Sequence, residues 1–365
     1  MKPLGLTLLF STLFSLAHAQ VITKLSNGTS TFYYNVDDLV AIVQGAAAND
    51  TIILPGGPIN LNGSLIIDKK LILIGAGMLN SGTPITGTTT IIGTNVGGFQ
   101  EVVAILSSGA GSRITGINFQ APVQFTGFGN NAPAFSASFE RCMFSGSLAL
   151  SVFASPVVPP SASNVSLKQC IIQQGITCST NTAPQGLLVE NCIITGGINF
   201  GAANIASAQV TQCIILAMTN NNGVNQGVTF TNNIFTRSGS SFSLSTASSY
   251  SNNLFVMSSG TQLNWSGAFD GGGNVGVMGT ANNVFVNLGS FTAYSESYDY
   301  HLAPGSPGLS MGSNGQVGIY GGPTGSPWKE GAIPFNPHWI SLSPSLGSTN
   351  GGVINVNLSG AAQQN

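Results

Sequence analysis

Apolar and polar residues alternate along this chain in short runs that recur about every twenty residues. In the middle of the chain each run reads apolar, polar, apolar, then two polar residues, a Cys or Asn, and two apolar residues. Period-two alternation predicts a strand with one buried face. We call the recurring Cys or Asn the marker residue, and the predicted markers are Cys142, Cys170, Cys192, Cys213, Asn233, Asn253 and Asn283.

The spacing of the markers indicates a solenoid. Successive markers are 28, 22, 21, 20, 20 and 30 residues apart. A short period that tolerates insertions is typical of stacked coils. We predict that each coil consists of a strand, a tight bend at the marker, a second strand and a return rich in Gly, Ser and Asn. Asn suits a bend because it tolerates left-handed backbone angles, and stacked Asn side chains are expected to hydrogen-bond along the axis.

The N-terminal part of the chain predicts export and a cap. Lys2 precedes an apolar run, and the small residues Ala17 and Ala19 resemble a signal-peptide cleavage site. Asp37 and Asp38 then begin an amphipathic segment, which predicts a short helix over the open end of the solenoid. The predicted divisions are a signal peptide at 1–19, an N-terminal segment with capping helix at 20–60, a β-helix at 61–310 and a C-terminal capping segment at 311–365.

Composition narrows the class of protein. Only 5% of residues are charged, which is too few for the wet faces of an ordinary helical protein. The hydrophobic content of 42% is too high for a disordered chain. After the N-terminus no apolar run reaches the roughly 18 residues that a membrane helix needs. The formal net charge of −2, without a Lys or Arg cluster, argues against nucleic acid as a partner.

Several segments resemble the pectate-lyase-like superfamily of right-handed parallel β-helix proteins. The capping helix, then residues 49–57, 65–77, 89–92 and 113–119, resemble the first coils of these proteins. Residues 299–312 resemble the closing segment of many secreted bacterial members, and residues 318–340 resemble the tail of a largely uncharacterised bacterial subgroup. The resemblance implies an all-β, single-stranded right-handed parallel β-helix with a short N-terminal capping helix and a C-terminal capping segment.

The acidic residues do not match the active sites of that superfamily. Its pectate lyases hold calcium with clustered acids and use a basic residue to abstract a proton, whereas its polygalacturonases and pectin esterases use grouped Asp residues. Only one Asp lies between residues 103 and 290, so we name no catalytic, cofactor-binding or metal-binding residue and expect no cofactor. In this region Glu140 and Glu190 each stand two residues before a marker, and Lys168 lies in the same band of the coil. A surface charge pair on neighbouring coils is the expected role, and a binding or catalytic pair is the alternative.

A second group of titratable residues lies near the C-terminus. It consists of Glu296, Asp299, His301, Lys329, Glu330 and His338. Two His residues with several acids are able to bind a metal or perform acid–base chemistry, but the spacing matches no metal motif. The nearby Tyr298, Tyr300, Pro304, Pro307 and Trp328 favour a structural interpretation, in which a capping loop packs over the last coil.

The five cysteines raise the question of disulfides. Four of them are markers, and parallel side-chain directions on stacked coils suit a disulfide poorly. We therefore expect Cys142, Cys170, Cys192 and Cys213 to be small buried hydrophobes that replace Asn. If a bridge forms, Cys178 is the expected partner.

The expected function is non-catalytic: a secreted extracellular or cell-surface protein that presents a long flat face to a polysaccharide, a cell-surface glycan or another partner. Candidate residues for stacking on sugar rings are Phe125, Phe128, Trp265 and Phe291. Two alternatives stay open at this point. One is a polysaccharide-active enzyme, a pectate-lyase-like lyase or glycoside hydrolase, with an unfamiliar site. The other is a structural spacer or repeat adhesin.

Overall fold

A computed structural model of the chain is a nearly all-β parallel solenoid of about eight turns. The predicted fold class is therefore confirmed. The structure describes residues 20–79, 87–96, 99–125, 136–150, 163–178, 184–200, 207–217, 227–279, 281–322, 328, 338–344 and 356–361. The coils stack mainly in parallel through three long sheets, which we call A, B and C.

The three sheets follow one another along the coils up to Asn199, and sheets A and B continue beyond it. In spatial order, sheet A contains the strands Thr29–Tyr33, Ile22–Ser26, Thr51–Ile53, Ile72–Ile74, Ser112–Thr115, Ala137–Glu140, Ser166–Lys168, Gln185–Glu190, Ser207–Thr211, Val228–Thr231, Ser249–Ser251 and Phe269–Asp270. Sheet B contains Gly57–Asn60, Thr89–Ile92, Ile117–Phe119, Met143–Phe144, Ile171–Ile172, Ile193–Ile194, Ile214–Ile215, Ile234–Arg237, Leu254–Met257 and Val275–Met278. Sheet C contains Leu65–Ile67, Val103–Ile105, Val123–Phe125, Leu148–Ala149, Ile176–Thr177 and Ile198–Asn199.

Smaller elements complete the described part of the chain. The parallel pair Ser241–Ser243 and Gln262–Asn264 lies in the last coils, and three antiparallel pairs are Asn95–Val96 with Phe99–Gln100, Phe285–Asn287 with Asp299–Leu302, and His338–Pro344 with Val356–Ala361. Two short α-helices are α1 (Leu39–Gln44) and α2 (Ala281–Val284), and three 3-10 turns are Val36–Asp38, Ser107–Gly109 and Pro307–Leu309.

The N-terminal cap has the predicted helix and an additional hairpin. Strands β1 (Ile22–Ser26) and β2 (Thr29–Tyr33) form this antiparallel hairpin, and β1 also pairs with the first parallel strand, β3 (Thr51–Ile53). The hairpin therefore extends sheet A beyond the first coil. Helix α1 buries Leu39, Ile42 and Val43 against the core, as an amphipathic cap requires.

The core is one continuous cluster that runs through the inside of the coils. Alternate residues of the strands point inward, as Val210, Phe230 and Tyr250 do in sheet A. Aromatic rings also stack between coils, and the Phe230 and Tyr250 ring centroids are 4.9 Å apart. Period-two alternation in the sequence thus corresponds to one buried face of sheet A.

The markers form a buried ladder at the bend between sheets A and B. The side-chain amide of Asn233 donates to Asn253 Oδ1 at 3.0 Å, and Asn253 in turn donates to Asn274 Oδ1 at 3.0 Å. Bonding between stacked Asn residues is thereby confirmed. The last described step is Asn274, however, and the predicted marker Asn283 lies in helix α2 instead.

The sequence predicts the left-handed backbone angle of each bend at the marker, but in the structure it occurs at the residue before the marker. Positive φ angles occur at the preceding residues Arg141, Gln169, Asn191, Gln212, Asn232 and Asn252. The markers Cys142, Cys170, Cys192, Cys213, Asn233 and Asn253 have their side chains in the core. In each bend the residue before the marker changes the direction of the backbone, and the marker side chain fills the core beneath the bend.

Both faces of sheet B are buried in the coils from Met143 to Leu254. Ile172, Ile194 and Ile215 point into the core, whereas the residues just before them belong to a second cluster on the outside of the sheet. This outer column consists of Met143, Ile171, Ile193, Ile214, Ile234 and Leu254. It is covered by residues from the segment 284–322, which we call the C-terminal strap, and by Trp328.

The strap runs along the side of the solenoid, so the prediction of a loop packed over the last coil is wrong for its described residues. The side-chain amide of Asn191 donates to the carbonyl O of Ile319 at 2.8 Å, and Gly318 donates to the carbonyl O of Asn232 at 2.9 Å. Tyr300 and Trp328 are buried in the same outer cluster. The described residues of the strap pack on sheet B, whereas outward side chains of sheet A such as Gln209 and Thr229 are exposed.

Candidate binding face

The outer face of sheet A consists of two columns of side chains that flank the inward-pointing column. In order along the axis, the first column contains Ser30, Leu25, Thr51, Ile72, Arg113, Ser138, Ser166, Leu188, Gln209, Thr229, Ser249 and Phe269. The second contains Phe32, Thr23, Ile53, Ile74, Thr115, Glu140, Lys168, Glu190, Thr211, Thr231 and Ser251. Within a column, neighbouring side chains are about 4.8 Å apart.

Three zones of different chemistry follow one another along this face. At the N-terminal end the apolar side chains Leu25, Phe32 and Ile53 are exposed. A charged zone in the middle consists of Arg113, Glu140, Lys168 and Glu190. Beyond it the hydroxyl zone is neutral, and it consists of Gln209, Thr211, Thr229, Thr231, Ser249 and Ser251.

The charged zone contains the ion pair that the sequence predicted. The ammonium Nζ of Lys168 lies 3.7 Å from Glu190 Oε2, and Glu140 is the register neighbour of Lys168 on the other side. Because both members of the pair are partly exposed, the pair contributes at most about 1 kcal/mol to stability. It is a surface interaction between coils.

Arg141 lies beside this zone, at the bend. Its side chain is buried, and burial lowers the pKa of the guanidinium to about 10, against the raising effect of the neighbouring Glu140 charge. The Arg141 guanidinium is therefore still charged at neutral pH.

The hydroxyl zone ends at an exposed aromatic ring. Phe269, on the last strand of sheet A, is the neighbour of Ser249 in the first column, and 64% of its surface is exposed. The Ser249 hydroxyl donates to Thr229 Oγ1 at 3.3 Å. Each hydroxyl is both a donor and an acceptor, so the zone matches a ligand that is itself rich in hydroxyl groups and carries no charge.

The C-terminal titratable group is brought together only in part. His301 Nδ1 lies 2.7 Å from Asp299 Oδ1, and the imidazole ring stacks on Tyr320 with centroids 3.8 Å apart. Burial acts to raise the pKa of Asp299, but the hydrogen bonds from His301 outweigh it and lower that pKa. Glu296 is exposed, the side chain of His338 lies outside the described part of the structure, and so do Lys329 and Glu330.

The aromatic residues proposed for sugar stacking are placed elsewhere. Phe125 is buried in the core, and Trp265 is partly buried against the core, with an edge-to-face contact to Tyr250. Phe291 packs against the outer cluster of sheet B, and Phe128 lies outside the described residues. The prediction of an exposed stacking ring is therefore wrong for Phe125, whose side chain is fully buried.

The exposed aromatics of sheet A, Phe32 and Phe269, were missed by sequence reasoning. The signal for the hydroxyl zone was present, because its residues stand four and two positions before a marker, as Thr229 and Thr231 do before Asn233. Phe32 carried no such signal, because no marker follows the hairpin.

None of the five cysteines forms a disulfide bond. The four marker thiols are buried, and Cys178 is partly buried against the core. Burial raises the pKa of the Cys142, Cys170 and Cys192 thiols well above the ordinary value, so they stay protonated at neutral pH. They resemble the Asn markers and are not redox groups at the surface.

Among the described residues, no group of three or more His, Cys, Asp or Glu side chains lies close enough together to hold a metal ion. No helix in the described part of the chain is long and apolar enough to cross a membrane. Comparison of the chain with protein-family models, with curated proteins and with solved structures gave no match.

Proposed function

We propose that this chain is a secreted bacterial protein of the pectate-lyase-like β-helix kind that binds a neutral polysaccharide without cleaving it. The observation that carries the proposal is the hydroxyl zone, a flat and uncharged array closed by the exposed ring of Phe269. Sugar hydroxyl groups are donors and acceptors like those of Ser and Thr, and an aromatic ring offers an apolar surface to a sugar ring.

The rest of the face favours a neutral ligand over an acidic one. The charges beside the hydroxyl zone are Lys168 and Glu190, which are paired with each other, at one end and the exposed acid Asp270 at the other. Tight binding of an acidic polysaccharide would need unpaired Lys or Arg residues, because strong hydrogen bonds to carboxylates come from charged donors. Equivalent side chains recur along the axis, and this regular spacing suits a repeating polymer better than a compact small molecule.

The experiment is to incubate the purified protein with neutral and acidic polysaccharides and to score both retention and cleavage. We expect retention on a neutral polysaccharide, with no new reducing or unsaturated ends. Phe269→Ala should weaken retention about two- to tenfold, because an aromatic contact contributes about 0.5–1.5 kcal/mol. The matched control is Thr177→Ala on the outer face of sheet C, which should leave retention unchanged.

Two outcomes contradict the proposal. One is cleavage of a retained polysaccharide, which would favour the alternative of an enzyme with an unfamiliar site. The other is the absence of retention on every polysaccharide tested, which would favour a spacer or a protein-binding role.

A further inference from the structure

We propose that two copies of this chain pair through strand β2, and that the pairing joins their sheets A into one sheet. The proposal concerns a free edge, since β2 is the first strand of sheet A and, among the described strands, pairs only with β1. No charged residue occurs in β2, whose sequence is Thr-Ser-Thr-Phe-Tyr.

The hairpin geometry determines which backbone groups of β2 face outward. The two-residue loop consists of Asn27 and Gly28, both with positive φ, as in a type I′ turn. Ser26 and Thr29 therefore form the first hydrogen-bonded pair, and pairs alternate from there. It follows that Ser30 and Phe32 direct their N–H and C=O groups away from β1, towards the free edge.

Within the described part of the chain, no hydrogen bond reaches this edge of β2. Natural edge strands are usually protected by Lys, Pro, a bulge or a covering loop. Strand β2 has neither Lys nor Pro, and it keeps regular register with β1 over all its residues. Phe32 and Tyr34 add exposed apolar surface beside the edge, with 56% and 79% of their surfaces exposed.

A second copy is the occupant that this edge fits best. Antiparallel pairing about a two-fold axis at Thr31 places Ser30 opposite Phe32 of the other copy, so the same outward groups satisfy each other. Because β2 is neutral, no like charges meet across the axis. The opposite edge of sheet A, Phe269–Asp270, has only two residues and an acid, which makes a head-to-tail stack a poorer match.

The two-fold axis is perpendicular to the sheet, which places both outer faces on the same side. Phe32 of each copy then lies beside the axis, and the two hydroxyl zones lie at the far ends of one continuous face. The dimer does not depend on the proposed glycan binding, so an experiment that contradicts one proposal leaves the other standing.

The first test is sedimentation of the purified protein over a broad concentration range. We expect a monomer–dimer equilibrium for the unchanged chain and for Ser30→Ala, which keeps the N–H group. Ser30→Pro removes an edge donor from each copy and leaves the β1–β2 hydrogen bonds intact. Its dimer should be at least about tenfold weaker. A chain that stays monomeric at every concentration, or Ser30→Pro that dimerises as tightly as the unchanged chain, overturns the proposal.

A second variant keeps the test decisive if Ser30→Pro fails to fold. Thr31 faces its own copy across the axis as a non-hydrogen-bonded pair, with Cα atoms about 4.5 Å apart, which is within disulfide range. In a Cys178→Ala background, Thr31→Cys should therefore form a cross-linked dimer on mild oxidation. Thr29→Cys, which is displaced from its own copy by about 13 Å, should not. Equal cross-linking by both, or by neither, contradicts this pairing.

Discussion

At the scale of single residues, Cys and Asn are interchangeable at the marker because both make the same two bonds. The Cys213 thiol donates to the carbonyl O of Val189 at 3.6 Å, and the Asn233 amide donates to that of Val210 at 2.8 Å. Each also accepts a backbone N–H from the previous marker, as Cys213 does from Cys192 at 3.4 Å. The equivalence was predictable from spacing, and the shared bonding explains it.

The last marker was not predictable in the same way. Asn283 has the letter pattern of its predecessors, in which two Asn residues precede an apolar pair. Asn274 lacks that pattern but lies 21 residues after Asn253, at the right length of chain for one coil. The next position in the ladder is determined by the number of residues in one coil, and similarity of the local sequence does not reveal that number.

We expect Asn253→Ala to lower the free energy of unfolding by about 3 kcal/mol. The Asn253 side-chain oxygen accepts from the backbone and side chain of Asn233, and its amide donates to the carbonyl O of Phe230 at 3.0 Å. Truncation leaves several buried groups unpaired, at about 1–3 kcal/mol each before relaxation. The measurement is urea unfolding, with the exposed Gln209→Ala as control, which should change stability by less than about 0.5 kcal/mol. Equal effects would mean that the ladder bonds are not what stabilises the bend.

At the scale of elements, the strands of sheets A and B are told apart by their patterns. A strand with one buried face alternates, whereas Ile171 and Ile172 are adjacent apolar residues, which indicates burial on both faces. The sequence thus indicated that something covers sheet B. It did not indicate what, because the covering residues, such as Val317 and Ile319, are far away in the chain and follow no repeat.

We expect Gly318→Ala to loosen the strap. Gly318 has a φ of +82°, and an added Cβ would lie 2.7 Å from Ile234 Cδ1. Gly315 is the matched control, since its φ is also positive but the space around it is open. Both changes strain the backbone, so their difference isolates the overlap, which should cost about 1–3 kcal/mol.

The readout for this pair is limited proteolysis, which reports local opening. The strap should be cut faster in Gly318→Ala than in Gly315→Ala, while the rest of the chain is cut no faster. Equal cleavage of the two variants would show that the strap does not depend on close contact with sheet B.

At the scale of the whole molecule, the repeat period was sufficient for the architecture and insufficient for the function. Period, alternation and the capping helix all follow from local patterns. The candidate binding face does not, because it depends on which outer side is left uncovered after the strap has packed. Phe269 and Thr229 become neighbouring parts of one surface only in the assembled solenoid.

The whole core is expected to lose stability at alkaline pH. Burial raises the pKa of the Cys142, Cys170 and Cys192 thiols and of the Tyr250 phenol. Stabilisation by such groups is complete below their unfolded pKa, about 8.5 for Cys and 10 for Tyr, and it falls as the pH rises above it. The free energy of unfolding, from urea titrations at several pH values, should therefore be level near neutrality and decrease above about pH 8.5.

The control for the pH effect is Cys192→Ala. It removes one titrating thiol, so the fall with pH should be shallower by up to about 1.4 kcal/mol per pH unit, whatever the variant does to stability at neutral pH. An unchanged slope would mean that the thiols are not the groups responsible.

The strap also gives this molecule an order of events. A chain is made from its N-terminus onwards, and Asn191 precedes its partner Ile319 by 128 residues. We expect the coils of sheet B to form first, so that their outer ridge of Ile193, Ile214 and Ile234 is exposed until the strap packs on it, and exposed apolar surface of this kind binds chaperones and aggregates. A chain interrupted before the strap would have most of its coils and still be unfinished. Folding of this solenoid is therefore complete only when the strap has packed on sheet B.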